Sequence, residues 1–372
     1  MDKRTEFLYL NEEDMIKANV LDSARCIDVE EEIFGLLSKG DYVMGGDSHN
    51  SHGIAIKFPE ESEFPNMPLD GPDRRFMAMP AYLGGRFNVT GVKWYGSNII
   101  NPKRGLPRSV LMVMLNDTDT CEPIALMSAN LVSSVRTGCV PGVGVRHLAR
   151  KNAEVCTCIG AGPVSKACFE AIKIEAKNLK EVVIYDLFKE KAEAFAKEAK
   201  TEYGIKAWAA DSLEEAVRVG DIISVAASSV APVNLSNDWL KEGSLVIFTG
   251  RCNINEPYFN SAKIIWDNTK MHEEYYGQHL LFPENMRFTN GIGVQVYRMM
   301  FEGKLPMFPE AVSLGDVVCG TREGRTSEKD RICFITSGMP VWDVGWSYEI
   351  YQNAKKMGLG QVLKLWDDPY LG

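Results

Sequence analysis

The segment Glu154-Val155-Cys156-Thr157-Cys158-Ile159-Gly160-Ala161-Gly162-Pro163-Val164-Ser165 passes from an apolar run into a helix start through two glycines one residue apart. The chemistry such a turn can do is anion binding. Gly160 allows a tight turn, and Gly162 lets the backbone approach a pyrophosphate at the helix N-terminus. The third position, Ser165, needs only a small side chain so that strand and helix pack closely. A bare glycine pattern would fit any tight turn. Here a second apolar run, Glu181-Val182-Val183-Ile184-Tyr185-Asp186, ends in an acid at the distance expected of a dinucleotide site. A carboxylate at Asp186 accepts hydrogen bonds from ribose hydroxyls and repels a 2′-phosphate, and Leu187-Phe188 beside it offers no arginine. The expected cofactor is therefore NAD, held by Gly160, Ala161, Gly162, Pro163, Val164, Ser165 and Asp186. Ser228, placed where such loops pass the cofactor, and Asp267, at the end of an apolar run, join the list. For Asp267 a purely structural role is equally open.

These residues need a particular scaffold. Strands are expected at 154–159, 181–186, near Lys206, and at 221–226, 244–248 and 262–266, with helices at 163–177, 188–200 and 212–218. Strands alternating with helices imply βαβ units and a parallel sheet. Before this region the texture differs. Asn11 opens a helix with Glu12, Glu13 and Asp14 in its first turn, where acids suit the positive end of the dipole. Asp28 opens a second, ending at Gly40. From Gly53 to Ser128 alternating runs such as Ile54-Ile56-Phe58 and Val89 to Trp94 predict an antiparallel sheet. Residues 130–150 are helical in texture but interrupted by Gly138 and Pro141. After residue 305 come a strand at 331–336 and an amphipathic helix from Pro340 to Met357, closed by Gly358. The simplest architecture is an α/β, Rossmann-type doubly wound sheet (131–305) inserted into an α+β domain (1–130 plus 306–372).

Composition removes whole classes of function. The net charge of -9, with no basic stripe, argues against a nucleic-acid partner. The N-terminus shows no signal-peptide pattern, and no apolar run approaches the roughly 18 residues of a membrane span. Nine cysteines include no C-x-x-C pair, and His49 and His52 belong to no zinc-like spacing, so a metal site is not expected. Alternating Cys156 and Cys158 suit reduced, buried thiols and a cytoplasmic location.

Further motifs give the chain a family resemblance. These are Met79-Pro80, Gly91-Val92-Lys93, Gly105-Leu106-Pro107, Pro123-Ile124-Ala125-Leu126-Met127 and Leu131-Val132-Ser133-Ser134-Val135-Arg136-Thr137. After the glycine loop follow Asp221-Ile222-Ile223, the run Leu314 to Gly320, Gly324-Arg325 and Phe334-Ile335-Thr336-Ser337-Gly338. In order and spacing the sequence resembles the ornithine cyclodeaminase/mu-crystallin family over nearly its whole length. The resemblance implies a homodimer, with the α+β domain (1–130 plus 306–372) as its substrate-binding and dimerisation domain. It also implies an NAD(H)-dependent oxidoreductase acting on the C–N bond of a small amino or imino acid. Ketimine reductases, amino-acid dehydrogenases and opine dehydrogenases are of this type. An ornithine cyclodeaminase forming proline and ammonia is the alternative, as is a non-catalytic, crystallin-like binder of NAD and ligand.

The resemblance also assigns roles. Arg136, in a small and apolar helical segment, would clamp the substrate carboxylate through the two-pronged geometry of a guanidinium, with an internal salt bridge as the competing role. Lys93, inside an alternating strand, would bind the carboxylate or relay a proton to the substrate nitrogen if burial lowers its pKa. Family cyclodeaminases carry an aspartate after the glycine that follows the next-to-last Rossmann strand. Here Thr249-Gly250 leads to Arg251. A guanidinium cannot act as a base at neutral pH. It opposes a diamine and favours an anionic substrate arm, and the polar run Tyr95-Gly96-Ser97-Asn98 points the same way.

Overall fold

The computed structural model describes residues 4–228 and 231–371 and divides into two compact units. The first comprises Met1–Asp22, Lys39–Arg136 and Met339–Gly372, and the second Ser23–Ser38 and Thr137–Gly338.

In the first unit β1 (Thr5–Leu10) precedes the helix Glu12–Lys17. Asn11 caps that helix as read from sequence, in a reciprocal capping box with Asp14. β1 itself is not evident from its short pattern. It is followed by β2 (Tyr42–Met44), β3 (Ile54–Lys57), β4 (Arg75–Leu83), β5 (Val89–Ser97), β6 (Ser109–Asp117) and β7 (Pro123–Ser128). The sheet order is C-terminal strand (Gln361–Trp366)-β1-β7-β6-β5-β4-β2, with β3 also on β4. Pairing is antiparallel as expected, except that β1 joins β7 in parallel.

Alternation along these strands separates two faces. Met79, Val89, Lys93, Val113 and Met127 point to a buried face, whereas Phe76, Trp94, Val110 and Met112 lie on the other and are exposed. The helix Pro340–Met357 packs on the buried side of β4, β5 and β6. Proline at its first turn and Gly358 in the left-handed region at its end (φ 65°) set its limits. The helix approaches β5 closely because of Gly91. A Cβ there would stand 2.8 Å from Leu115 Cδ2 and 3.1 Å from Val344 Cγ2.

The second unit contains β8 (Val155–Ile159), β9 (Glu181–Tyr185), β10 (Lys206–Ala209), β11 (Ile222–Val225), β12 (Val233–Leu235), β13 (Leu245–Phe248), β14 (Cys252–Ile254), β15 (Lys263–Trp266), β16 (Val312–Ser313) and β17 (Ile332–Ile335). Its parallel sheet has the order β10-β9-β8-β11-β13-β17-β15-β16, while β12 and β14 pair apart from it. Every residue of β11, β13 and β17 is buried, the pattern of central parallel strands covered on both faces. The chain leaves β8 toward β9 and β10, then returns to β11 on the other side of β8. That reversal of strand order falls between β8 and β11, and doubly wound sheets bind ligands at the carboxyl ends of the strands at such a point.

Three expectations need correction. The strand at 331–336 is β17 and lies between β13 and β15, so the chain leaves this unit at residue 339 and not at 306. Its four buried residues can be satisfied only inside a covered sheet. The second helix begins at Ser23, ahead of Asp28, and belongs with the second unit, where Arg146 bonds Asp28 and Glu31. The helix Asn130–Leu148 runs through Gly138 and Pro141 without a break. Pro141 forfeits one backbone hydrogen bond. Gly138 is needed because a Cβ there would stand 2.4 Å from the backbone of Ala167.

Candidate active site

In the second unit the end of β8 forms the turn read from the sequence. Gly160 has φ +102°, and a Cβ would approach the backbone of Ala227 to 3.0 Å, so both conformation and space require glycine. Gly162 is different. It is the N-cap of the helix Pro163–Glu175, with an ordinary φ of -83° and no side-chain cap, and an added Cβ would meet nothing within 4 Å. The first turn of this helix therefore faces open space, with its unpaired N–H groups and positive dipole end aimed there. Pro163 begins the helix, Val164 is exposed and Ser165 is fully buried against the sheet, the small-residue contact expected of it.

Asp186 follows β9 and reaches the same turn. Its Oδ2 accepts from Ala161 N at 2.8 Å and its Oδ1 from Phe188 N at 2.9 Å. An open anion cradle with a half-buried carboxylate beside it fits the pyrophosphate and ribose of NAD. Ser228 is exposed just beyond β11. Asp267 shows the structural role that the sequence left equally open. It is fully buried at the end of β15, where Oδ1 accepts from Asn268 N and meets His272 Nε2, both at 2.8 Å, and Oδ2 accepts from Ser337 N at 2.7 Å. Both of its oxygens hold the protein. Arg251 is half-buried, with Nη1 donating to Asn290 Oδ1 at 2.8 Å.

The first unit gathers a second set of groups. Lys93, on the buried face of β5, is 2% exposed, and Arg136 is 5% exposed. Between them stands Asp343, fully buried in the first turn of the helix Pro340–Met357. Lys93 Nζ donates to Asp343 Oδ2 at 2.7 Å, and Arg136 Nε donates to Asp343 Oδ1 at 3.0 Å. One carboxylate thus fixes two cations, leaving a buried surplus of positive charge. Arg136 bonds through Nε alone, so neither terminal nitrogen has a hydrogen-bond partner among the described residues. Burial, reinforced by the nearby guanidinium of Arg136, lowers the Lys93 pKa to about 8 against the opposing pull of Asp343.

Arg136 has the internal salt bridge that was the competing role, and its two terminal nitrogens are left over from it. Asp343 escaped the sequence reading. Its signal was the one used for Arg136, a charge inside an apolar helical run, Pro340-Val341-Trp342-Asp343-Val344-Gly345-Trp346. Among the described residues no group of three or more His, Cys, Asp or Glu could hold a metal ion.

Several known proteins are similar to this chain in sequence or in structure. N-((2S)-2-amino-2-carboxyethyl)-L-glutamate dehydrogenase of Staphylococcus aureus is 27% identical over 370 residues, 97% of this chain and 99% of that protein. Alanine dehydrogenase of Archaeoglobus fulgidus is 28% identical over 306 residues, covering 81% and 87% of the two chains. An archaeal alanine dehydrogenase dimer with bound NAD superposes with a TM-score of 0.78 at 25% identity, over 97% of this chain and 100% of that one. The sequence model of one family matches residues 19–358, and the chain belongs to it: the ornithine cyclodeaminase/mu-crystallin family.

Proposed function

We propose that this protein is an opine-type dehydrogenase, oxidising or forming the C–N bond of a secondary amine that joins two carboxylated arms. At the coarser level it is an NAD(H)-dependent oxidoreductase of amino or imino acids, as its family membership and relatives indicate. The observation that carries the chemistry is the buried Lys93–Asp343–Arg136 cluster.

Gly160, Ala161, Gly162, Pro163, Val164, Ser165 and Asp186 would hold the cofactor, with Ser228 beside them. When bound, NAD(H) supplies or accepts the hydride. The terminal nitrogens of Arg136 take the α-carboxylate of the substrate as a two-pronged, charge-assisted pair. Lys93, its pKa lowered to about 8, accepts a proton from the substrate nitrogen in oxidation and returns it in reduction. Asp343 orients both cations without meeting the substrate. Arg251 cannot act as a base and repels the second ammonium of a diamine, which separates this protein from a cyclodeaminase. Full-length similarity to a dehydrogenase of an N-substituted glutamate supports the same choice.

A homodimer is part of the proposal. The outer sheet face of the first unit exposes Ile54, Ile56, Phe76, Trp94, Val110 and Met112, an apolar surface suited to a second copy. A reducing cytoplasm suits nine free cysteines, seven of them buried. Among the described residues no helix is long and apolar enough to cross a membrane.

The test follows NADH absorbance with 2-oxo acids paired with amino acids, alongside ornithine with NAD. Consumption of NADH only when both an oxo acid and an amino acid are present is expected. Rapid, stoichiometric release of proline and ammonia from ornithine would replace this reading with the cyclodeaminase one.

A further inference from the structure

Beyond Lys93, the buried face of β5 continues through Tyr95 to Ser97, residues two apart that share one side of the sheet. Their partners on β4 are Met77 opposite Tyr95 and Arg75 opposite Ser97. The C-terminal helix covers only part of this face. Asp343 lies over Lys93, Val344 over Gly91, Tyr348 against Phe87 and Glu349 against Arg86, so the helix runs away from Tyr95. Tyr95 is accordingly half-buried, and the Arg75 side chain keeps 33% exposure.

Tyr95 stands between two cations. Lys93 Nζ and Arg75 Cζ each lie 5.7 Å from its ring centroid, and Arg75 Nη2 points to its hydroxyl at 3.4 Å. Arg75 also shares an acid. Asp73 Oδ1 accepts from Arg75 Nη1, while Oδ2 accepts from Arg108 Nε at 2.6 Å and from Ser97 Oγ at 2.5 Å. One carboxylate again faces two cations, here both guanidiniums. The same sheet face therefore carries two nodes, each with one positive charge in excess, on either side of an aromatic floor. A ligand with one anionic group would satisfy only one node.

We propose that Arg75, with Tyr95 as its platform, is the specificity-determining anchor for the second carboxylate of the substrate, so that the site selects a secondary amine carrying two carboxylated arms. The inference rests on the opine-type reading and places the second arm on the same unit as Lys93 and Arg136. Arg251, on the other unit, is then not the residue that reads this arm. The planar fork of Arg75 suits a carboxylate, which a lysine would meet only as a point charge.

Calorimetric titration tests this with two unreactive probes, iminodiacetate with two carboxylates and N-methylglycine with one. The wild-type protein should bind iminodiacetate at least about tenfold more tightly, an increment of ~1.4 kcal/mol. Arg75→Gln should abolish that preference, Arg75→Lys should restore part of it, and Arg136→Ala should weaken both probes alike. Tyr95→Phe, which removes only a hydroxyl, should reduce the preference without altering the melting temperature, and guards against a folding defect in the arginine variants. The proposal is overturned if the wild type shows no preference, if Arg75→Gln keeps it, or if Arg251→Ala erases it instead. Turnover judges the opine reading separately. A protein that consumes no NADH with any oxo acid and amino acid, yet loses its probe preference on Arg75→Gln, refutes that reading and retains this anchor.

Discussion

The two candidate sites differ in how the chain builds them. The nucleotide turn of the second unit is local: one strand, one turn and one helix supply Gly160 to Ser165, and the next strand supplies Asp186. The carboxylate cluster of the first unit is assembled from β5, the helix Asn130–Leu148 and the C-terminal helix, through Lys93, Arg136 and Asp343. A local site works through backbone, so its determinants are glycines and space. An assembled site works through buried charge, so its determinants are pairings. Substitutions should therefore fail in different ways in the two units.

The largest effect belongs to the assembled site. Arg136→Ala removes the free donors and leaves a desolvated carboxylate unpaired, and kcat/KM should fall about a thousandfold, ~4 kcal/mol. Arg136→Lys should recover little of this, because one ammonium cannot bond Asp343 and a two-pronged ligand together. NAD affinity, measured by fluorescence titration, should stay within about twofold of wild type. Near-normal turnover of Arg136→Ala would remove the residue from the site.

Next come the two glycines, which should behave oppositely. Gly162→Val places its side chain in open space at an ordinary φ, so stability should barely change while NAD affinity drops about a hundredfold, ~2.7 kcal/mol. Gly160→Ala forces a side chain into positive φ against the backbone of Ala227 and should cost about 1–3 kcal/mol in urea unfolding. If both variants lose stability and affinity equally, the division of labour within the turn is wrong. A smaller change is expected from Asp186→Ser. Discrimination between NAD and NADP should narrow roughly tenfold, the ~1.5 kcal/mol of one charge-assisted hydrogen bond. Tighter binding of NADPH than NADH by the wild type would defeat the assignment.

What the sequence disclosed follows the same division. The turn was legible because its residues are contiguous and its flanking strands carry their own apolar pattern. Lys93 and Arg136 were visible as charges in apolar surroundings once the family motifs were matched, but their common partner was not. Asp343 lies 207 residues beyond Arg136, and only the packing of the C-terminal helix against β5 brings the three together. Asp267 could be read either way for a related reason. An acid at the end of a parallel strand sits where ligands bind, yet its burial and its bonds to His272 and Ser337 are properties of the folded second unit alone. The domain boundary was misplaced because β17 follows a long non-repeating stretch, and its four buried residues show no period that distinguishes one sheet from another.

The pH dependence of turnover is the subtlest test of the assembled site. Burial and Arg136 lower the Lys93 pKa to about 8, while Asp343 holds it up. Oxidation of the substrate amine needs Lys93 neutral as a base. Its rate should therefore climb as pH rises toward about 8, by up to tenfold per unit on the acid limb, and level off above. Reduction needs the protonated form as an acid, so its rate should be level below that pH and fall above it. The two directions must break at a common position with opposite sign. Lys93→Arg, which stays charged throughout, should abolish the break in both. Asp343→Asn removes the influence that raises the pKa and should move the break to lower pH, whereas Arg136→Gln removes a lowering influence and should move it up. Kinetics at saturating substrate keep these shifts separate from losses of affinity. A break that survives Lys93→Arg would place the titrating group elsewhere, and equal shifts in the Asp343 and Arg136 variants would show that the three residues do not act as one electrostatic unit.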